Sequence, residues 1–432
     1  MTELGNYRPI SLTSLVGKLL ERVIKDKIVG YLEENGLINN SQYGFRKGLS
    51  CLSNLLAYFN YLTKGMDEGH RVDVAYLDFS KAFDKVTHGG IMHKLQSHGI
   101  TGRVYNWVSE WLQGRLQRVV INGETLTWAG VLSRVPQGSV LGPLLFILFV
   151  NDLEERVGGK ISKFADNTKL ARIVDNVEDA KLMQKDLDHL AGWADANQMQ
   201  FNVDKCKIMQ FGMGNIEFKY DLGGGWLKDS ALEKDLGIFV SQDLKVHRQC
   251  LEVRNRANRM LGLIRRNVNY KSKEVIRGLY NALVRPHLEY CVQAWSPYLK
   301  KDIRLLEQVQ KNAVRIIPGL KGDNYEDRLR EIGLYSLKRR RLRGDLIEVY
   351  KMLQGISKVK LDDFFTLDGE SRGRGHSKKI FKQGCRLNVR KFSFGFRVVD
   401  WWNKLPGDVV VSDSVKVFKR GLDRFLDGLD VV

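Results

Sequence analysis

The succession of elements legible in the sequence predicts an α+β fold in which helices are laid on one sheet. Three observations carry that expectation. An apolar run at 72–78, "VDVAYLD", has the composition of a buried strand. Residues 178–197 form an amphipathic helix with Met183, Leu187, Leu190, Ala191 and Ala194 on one face. Between them "KISKFADNTKL" (160–170) reads as two short strands joined by an acidic turn. At 432 residues the chain is longer than one core usually serves, so two or three subdomains are expected.

The remaining elements follow in order. Residues 12–34 read as a helix, with Leu12, Leu15, Val16, Leu19, Leu20 and Val23 at helical spacing. A second helix covers 51–66 and ends near Gly65. Strand 72–78 leads into a helix from Lys81 to Leu95, and "QRVVING" and "WAGVLSRV" are expected to pair around Gly123. "PQGSVLGPLLFILFVNDL" is a turn, a very apolar helix and a polar stop at Asn151-Asp152. After the helix at 178–197 comes a strand around "MQFNVDKCKIMQF". Beyond about residue 245 the chain turns helical and basic, with Leu305, Val309, Ala313 and Ile316 as an apolar stripe. "DLGGGWLKD" (221–229) is a candidate hinge, and "PGLKGDN" (318–324) and "DGESRGRGHSKK" (368–379) are candidate breaks, the last preceding a short unit with Trp401 and Trp402.

Lys and Arg number 69 against 50 Asp and Glu, giving a net charge of +19 and a pI near 9.6. Such an excess favours a polyanionic partner, most simply nucleic acid. "RANRMLGLIRRN" and "KRRRLRG" are candidates to grip phosphates. "RKFSFGFR" interleaves Arg with Phe in a way that suits backbone contact plus base stacking, with a small aromatic core as the alternative. The five cysteines, Cys51, Cys206, Cys250, Cys291 and Cys385, are scattered and include no C-x-x-C pair, which argues against a disulfide framework or a zinc knuckle and fits a reducing compartment. The longest apolar run, Val140–Val150, is broken by Gly142 and Pro143 and is too short to span a bilayer. "MTELGNYRPIS" lacks the apolar core of a signal peptide.

Asp78 stands at the end of an apolar strand, at the rim of a sheet where sites tend to form; a helix N-cap or a turn acid is the structural alternative. Asp166 lies in a hairpin turn, where Asp is common for conformational reasons alone. As a pair they mean more, because two-metal phosphoryl chemistry needs carboxylates from different segments converging on Mg²⁺, which takes only one or two from the protein. Between them, Pro136-Gln137-Gly138-Ser139 would let backbone approach a ligand at Gly138 and let Gln137 hydrogen-bond it, or would simply start a buried helix. Lys205, read as just past a strand, would set a charge on a phosphate or donate a proton, if it is not merely solvated.

"NYRPISLTSLVGKLLERVI", "SQYGFRKG", "YLDFSKAFDKVTH", "VPQGSVLGPLLF", "KFADNTKL", "FNVDKCKIMQF" and "DLGIFVSQDL" occur in this order. Together they resemble the reverse transcriptase of non-LTR (LINE-type) retrotransposons over roughly residues 4–245, and "LVRPHLEYCVQAWSP" and "VVDWWNKLP" resemble that family's C-terminal portion. The resemblance implies a right-hand polymerase, with fingers and palm in 1–240, a helical thumb in 241–320 and a basic C-terminal extension in 321–432. It implies RNA-directed DNA synthesis by two-metal nucleotidyl transfer, with two Mg²⁺ ions, for which Mn²⁺ can substitute. Asp78 and Asp166 would be the metal-binding aspartates, with the Phe79 carbonyl and Asn167 as further ligands. Phe83 would be the steric gate against a ribose 2′-OH. Gln137 and Gly138 would line the nucleotide pocket, Arg46 and Lys47 would reach template or triphosphate, and Lys205 would help pyrophosphate leave. Asp84 and His88 match the family pattern too and read equally well as structural.

Two positions depart from that pattern. Asn167 replaces the second aspartate of the usual Asp-Asp turn, and an amide is a neutral, weaker ligand for a hard cation. Arg134 stands where relatives usually have Gly before Val-Pro-Gln-Gly, and its bulk would crowd nucleotide or template. The expectations therefore include an alternative, a catalytically inactive nucleic-acid-binding remnant that keeps the fold. The implied partners are an RNA template, a DNA primer, dNTPs and a ribonucleoprotein with the element's RNA. No membrane association is expected, the expected location is nucleus and cytoplasm, and a longer parent polyprotein with an upstream endonuclease is expected.

Overall fold

The computed structural model describes residues 11, 13–121, 123–131, 133–214, 216–320, 324–368 and 376–429. They pack as two units that interleave along the chain. The first takes the segment ending at Ser50 together with Val72–Gln210 and Gly214–Asp229; the second takes Cys51–Arg71, Phe211–Met213 and the chain from Ser230.

In chain order the elements up to residue 229 begin with α1 (Leu15–Glu34), started by the Ser14 hydroxyl accepting from the Gly17 amide, and α2 (Cys51–Asp67), which belongs to the second unit. Strand β1 (Val72–Leu77) follows. The single helix expected from Lys81 to Leu95 is two, α3 (Ala82–Lys85) and α4 (His88–Ser97), because Thr87 turns extended and caps α4. After α5 (Gly102–Leu112), the strands expected around Gly123 form two small ladders. In these β2 (Leu116–Gln117) pairs β5 (Ala129–Gly130), and β3 (Val120–Ile121) pairs β4 (Glu124–Thr125). α6 (Gly142–Phe149) opens with Pro143, where a missing N–H costs nothing, and is buried from Leu144 to Phe149. The hairpin β6 (Lys160–Phe164) and β7 (Asn167–Ile173) precedes α7 (Val177–Ala196), which Asn176 caps. β8 (Lys207–Phe211), β9 (Asp221–Leu222), β10 (Gly225–Trp226) and β11 (Lys228–Asp229) complete this part.

Five strands form one sheet in the order β11-β8-β1-β7-β6. β1 and β6 each run antiparallel to β7, and β11 runs parallel to β8. The core against it is the apolar side chains of α6 and α7, including Leu145, Phe146, Met183, Leu187 and Leu190. Three expectations change. "DLGGGWLKD" is not an open linker, since β9–β10 is a tight hairpin and β11 joins the sheet, and the boundary between the two units falls at its end, between Asp229 and Ser230. Lys205 precedes its strand instead of following it, because residues 202–206 make a turn closed by the Lys205 and Cys206 amides on the Asn202 carbonyl. The apolar stripe of α1 is exposed at Leu15, Val16, Leu19, Leu20 and Val23; the helix docks instead through Ile28, Leu32 and the buried Glu21. That carboxylate accepts from the Val140 and Leu141 amides at the start of α6, where a helix N-terminus favours negative charge.

In the second unit a hairpin, β12 (Leu232–Asp235) and β13 (Ile238–Ser241), leads into helices. These are α8 (His247–Asn267), α9 (Lys273–Leu279), α10 (Arg285–Glu289), α11 (Val292–Trp295), α12 (Lys300–Val314), α13 (Tyr325–Ile332) and α14 (Leu337–Leu353). The structure overturns the phosphate-gripping expectation for "KRRRLRG". Arg343 pairs with Asp423, Arg339 with Asp427 and Arg340 with Glu289, and Arg341 is buried. "RKFSFGFR" is largely taken up by contacts within the chain, with Lys391 exposed. Arg390 donates to the Asn60 and Thr63 side chains, Arg397 forms a two-pronged pair with the buried Asp345, and Phe392 stacks on Tyr298 at 4.4 Å. Phe394 and Trp402 are core residues, so the small-core alternative holds for them. Most of "DGESRGRGHSKK" and part of "PGLKGDN" lie outside the described residues.

One buried charge fastens the β9–β10 ribbon to the sheet. Asp73, the second residue of β1, accepts from the Tyr220 hydroxyl at 2.7 Å and from the Gln210 side-chain amide at 3.4 Å. Burial raises the Asp73 pKa, and those two hydrogen bonds oppose the rise. A raised folded-state pKa stabilises the fold below the unfolded carboxylate value, and that contribution is lost as pH climbs through the folded value. Asp73→Asn, which keeps an oxygen for Tyr220, is expected to melt higher relative to the parent as pH is raised from acid to neutral. Tyr220→Phe is expected to lose about 1–3 kcal/mol at neutral pH by stranding the carboxylate. Thermal melts of both variants across pH check this; a Tyr220→Phe melt equal to the parent's contradicts it.

Candidate active site

The register of the sheet brings Asp78 and Asp166 to one end of neighbouring strands. Leu77 of β1 pairs with Thr168 of β7, so Asp78 lies one step beyond, level with Asn167. The β6–β7 pairing closes at Phe164 with Asn167, leaving Ala165 and Asp166 as the turn. Asp78 is held from behind: its amide donates to the Cys206 Sγ at 3.4 Å and its carbonyl accepts from the Asn202 amide at 2.8 Å. Cys206 is fully buried, and burial pushes its thiol up to about 11, so at neutral pH it is an uncharged packing and hydrogen-bonding group. In front, Lys205 Nζ is 3.4 Å from Asp78 Oδ2 with its own side chain largely in solvent.

Phe79 is buried, its ring stacked on Phe201 at 4.3 Å. The bonds flanking that bridge, Ser80 to the Gln200 carbonyl and Asn202 to the Asp78 carbonyl, leave the Phe79 carbonyl outside the pair's hydrogen bonding. A cleft of about 360 Å³ opens beside the turn, walled by Phe83, Pro136, Gln137, Gly138, Pro143 and Asp166. Phe83 is braced there by stacking on Phe146 at 4.3 Å and by its carbonyl accepting from the Val135 amide. Gly138 adopts φ +101°, a conformation that a side chain would strain.

Other expected site residues stand elsewhere. The Arg46 guanidinium donates to the Asn39 and Gln42 carbonyls of its own loop, and burial lowers its pKa; Lys47 beside it is exposed. Asn167 opens β7 with its side chain in solvent. Arg134 does not wall the cleft: its guanidinium reaches the Gln117 side chain at 2.9 Å and approaches Asp84 at 3.9 Å. Its backbone, however, sits at φ +96°, where glycine is at ease and arginine is strained. Asp84 and His88 serve this corner, His88 Nε2 lying 3.2 Å from the Arg134 carbonyl, with burial lowering the His88 pKa.

The residues that sequence reading missed are polar and buried. Gln42 sits beneath the Ala165-Asp166 turn, Cys206 beneath Asp78, and Lys163, fully buried, reaches the Val150 and Asn151 carbonyls and Glu154. "SQYGFRKG" drew attention only to its cations, and nothing local distinguishes Gln42 from a surface glutamine.

Among the described residues no three His, Cys, Asp or Glu side chains gather into an all-protein metal cage. The donors set at this end of the strands, the Asp78 and Asp166 carboxylates with the Phe79 main-chain carbonyl next to Asp78, are all oxygens, whereas the Asn167 amide points into solvent. That set fits a hard divalent cation which keeps water and phosphate among its ligands.

Comparison with known proteins agrees with this chemistry. The family described as "Reverse transcriptase (RNA-dependent DNA polymerase)" matches residues 2–263. The chain is 27% identical over 334 residues to the RNA-directed DNA polymerase from mobile element jockey of Drosophila melanogaster, covering 74% of this chain and 36% of that protein. It is 26% identical to the probable RNA-directed DNA polymerase from transposon BS of the same fly, covering 72% and 36%. The chain thus spans about a third of the length of these curated relatives. Among solved structures, apo telomerase from Candida tropicalis aligns over 79% of this chain and 55% of its own at 10% identity, with a TM-score of 0.45. The RNA-dependent RNA polymerase of a human picobirnavirus aligns over 72% and 57% at 14% identity, with a TM-score of 0.35. With the family match covering more than half of its 432 residues, the chain belongs to the reverse transcriptase (RNA-dependent DNA polymerase) family.

Proposed function

We propose that the chain extends a DNA primer on an RNA template by nucleotidyl transfer, as the polymerase of a non-LTR retrotransposon. One observation carries this reading: Asp78 and Asp166 share one end of adjacent strands, and Asp166 also walls the cleft lined by Phe83, Gln137 and Gly138. The family implies use of a divalent metal; two Mg²⁺ ions, with Mn²⁺ as a substitute, would polarise the α-phosphate and lower the pKa of the primer 3′-OH. Asp78 and Asp166 would hold them, with the Phe79 carbonyl and Asn167 completing the protein's share. Lys205 pairs with Asp78 in this structure, and with a cation held by Asp78 its ammonium would be available to the leaving pyrophosphate. Gln137 and Gly138 orient the nucleotide, Phe83 closes the space a 2′-OH would need, and Lys47 is the exposed cation of its loop. Arg46 serves that loop by holding it together.

The exposed arginines of α8 supply a surface for the primer–template duplex. Arg259, Arg265 and Arg266 make no ion pair among the described residues, unlike the paired arginines of α14. Fingers and palm in 1–240, thumb in 241–320 and a basic extension in 321–432 remain the proposed division, with a nuclear and cytoplasmic ribonucleoprotein as the setting. No described helix is long and apolar enough to cross a membrane. Asn167 favours a second reading, an inactive remnant that still binds nucleic acid, because it removes one negative charge from the turn.

Sugar selectivity tests the placement of Phe83. Phe83→Val is expected to raise ribonucleotide over deoxynucleotide incorporation on the order of 10- to 100-fold in single-nucleotide extension; an unchanged ratio with activity retained makes Phe83 a packing residue only. Asn167→Asp is expected to raise Mg²⁺-dependent extension, by less than the ~10²–10³ typical of a preorganised catalytic group, since Asp166 already supplies the main ligand. Arg134→Gly is expected to fold at least as stably as the parent, because relief of its φ offsets the lost bond to Gln117. A double variant that folds, binds primer–template and stays inactive would sink the argument from Asn167.

A further inference from the structure

We propose that Gln42 is a positioning residue that fixes the Ala165-Asp166 turn, and with it the Asp166 carboxylate, from beneath. The proposal rests on the polymerase reading only for what Asp166 does there. The segment Ser41–Gly44 lies along β6 as an extra parallel edge: the Tyr43 amide donates to the Lys163 carbonyl at 2.9 Å and the Lys163 amide to the Ser41 carbonyl at 2.8 Å. That register sets the Gln42 side chain, 1% exposed, under the turn. Its Oε1 accepts from the Gly44 amide at 2.9 Å and from the Ala165 amide at 3.1 Å.

The turn needs such a partner. Ala165 has φ +56° whereas Asp166 does not share that sign, the pattern of a hairpin turn whose first position favours glycine. A side chain there is strained, and an amide at the tip of a two-residue loop has no ladder partner of its own. Gln42 supplies the acceptor that holds Ala165 in this conformation. Close approach is what permits it: a Cβ on Gly44 would come within 2.7 Å of the Ala165 nitrogen. Gln42 also carries a cost that simple packing would not, since its Nε2 is buried with no hydrogen-bond partner. An apolar side chain of equal length would avoid that cost and lose only the acceptor, so the acceptor is the property that the site uses. Arg46 donates to the Gln42 carbonyl at 3.3 Å, so the loop bearing Lys47 and the turn bearing Asp166 share this anchor.

The test is amide hydrogen exchange of Phe164–Asn167 together with Mn²⁺ binding followed by electron paramagnetic resonance, in the parent, Gln42→Met and Gln42→Glu. Gln42→Met keeps the length and removes the acceptor. Turn exchange is expected to speed up by about five- to tenfold and Mn²⁺ binding to weaken, with exchange in α7 unchanged. Gln42→Glu keeps the acceptor and is expected to retain turn protection. Unchanged turn exchange in Gln42→Met, acceleration shared equally by α7, or unaltered Mn²⁺ affinity despite a loosened turn would each overturn the proposal. Neither readout depends on catalysis, so failure of the polymerase reading would show separately, as a protected turn in a protein that extends no primer.

Discussion

Asp78 and Asp166 are set at one end of the neighbouring strands β1 and β7, and the fold has to hold each of them there. Everything around the site serves that juxtaposition. The β6–β7 hairpin sets Asp166 beside the strand that ends in Asp78, and the two-residue turn fixes the register, because a one-residue slip would move Asp166 out of the turn and exchange the side chains packed on the two buried faces of β1. Lys205 screens Asp78 from the front. Behind the two acids the supports are uncharged: the Cys206 thiol at Asp78 and the Gln42 amide at the Asp166 turn. Neutral supports fix geometry without competing for a cation, whereas a buried cation in either place would occupy the charge that a metal needs.

Much of this was legible in the sequence, and the reason is periodicity. β1, the hairpin and α7 announce themselves by local apolar pattern, and Asp78 and Asp166 are found because they terminate such patterns. What was not legible depends on partners far away in the chain. Gln42 and Ala165 are 123 residues apart, Asp78 and Cys206 are 128, and Asp73 and Tyr220 are 147. A polar residue bound for the interior looks locally like one bound for the surface. The stripe of α1 misled for the converse reason. Its leucines and valines keep helical spacing, but the helix docks through Glu21 and its second half, leaving the stripe exposed.

Charge misled in the same way. A run such as "KRRRLRG" suggests phosphate, yet its arginines pair with Glu289, Asp423 and Asp427, whose positions in the fold no local reading supplies. These pairs tie α14 to α10 and to the helix Val415–Asp427 of the same unit. The basic surface that remains for a polyanion is narrower than the net charge of +19 suggests, and α8 carries a concentrated share of it.

In the proposed reading the Asp78–Asp166 pair is a working polymerase centre despite Asn167. Primer extension tests it most directly: the parent chain and Asp78→Ala, on a homopolymeric RNA template with a complementary DNA primer, in Mg²⁺ and in Mn²⁺. The account predicts template-dependent dNTP incorporation by the parent, stronger in Mn²⁺, and none by Asp78→Ala although it melts and binds primer–template as the parent does. A folded, template-binding parent that incorporates nothing in either ion, or an Asp78→Ala variant as active as the parent, would contradict it.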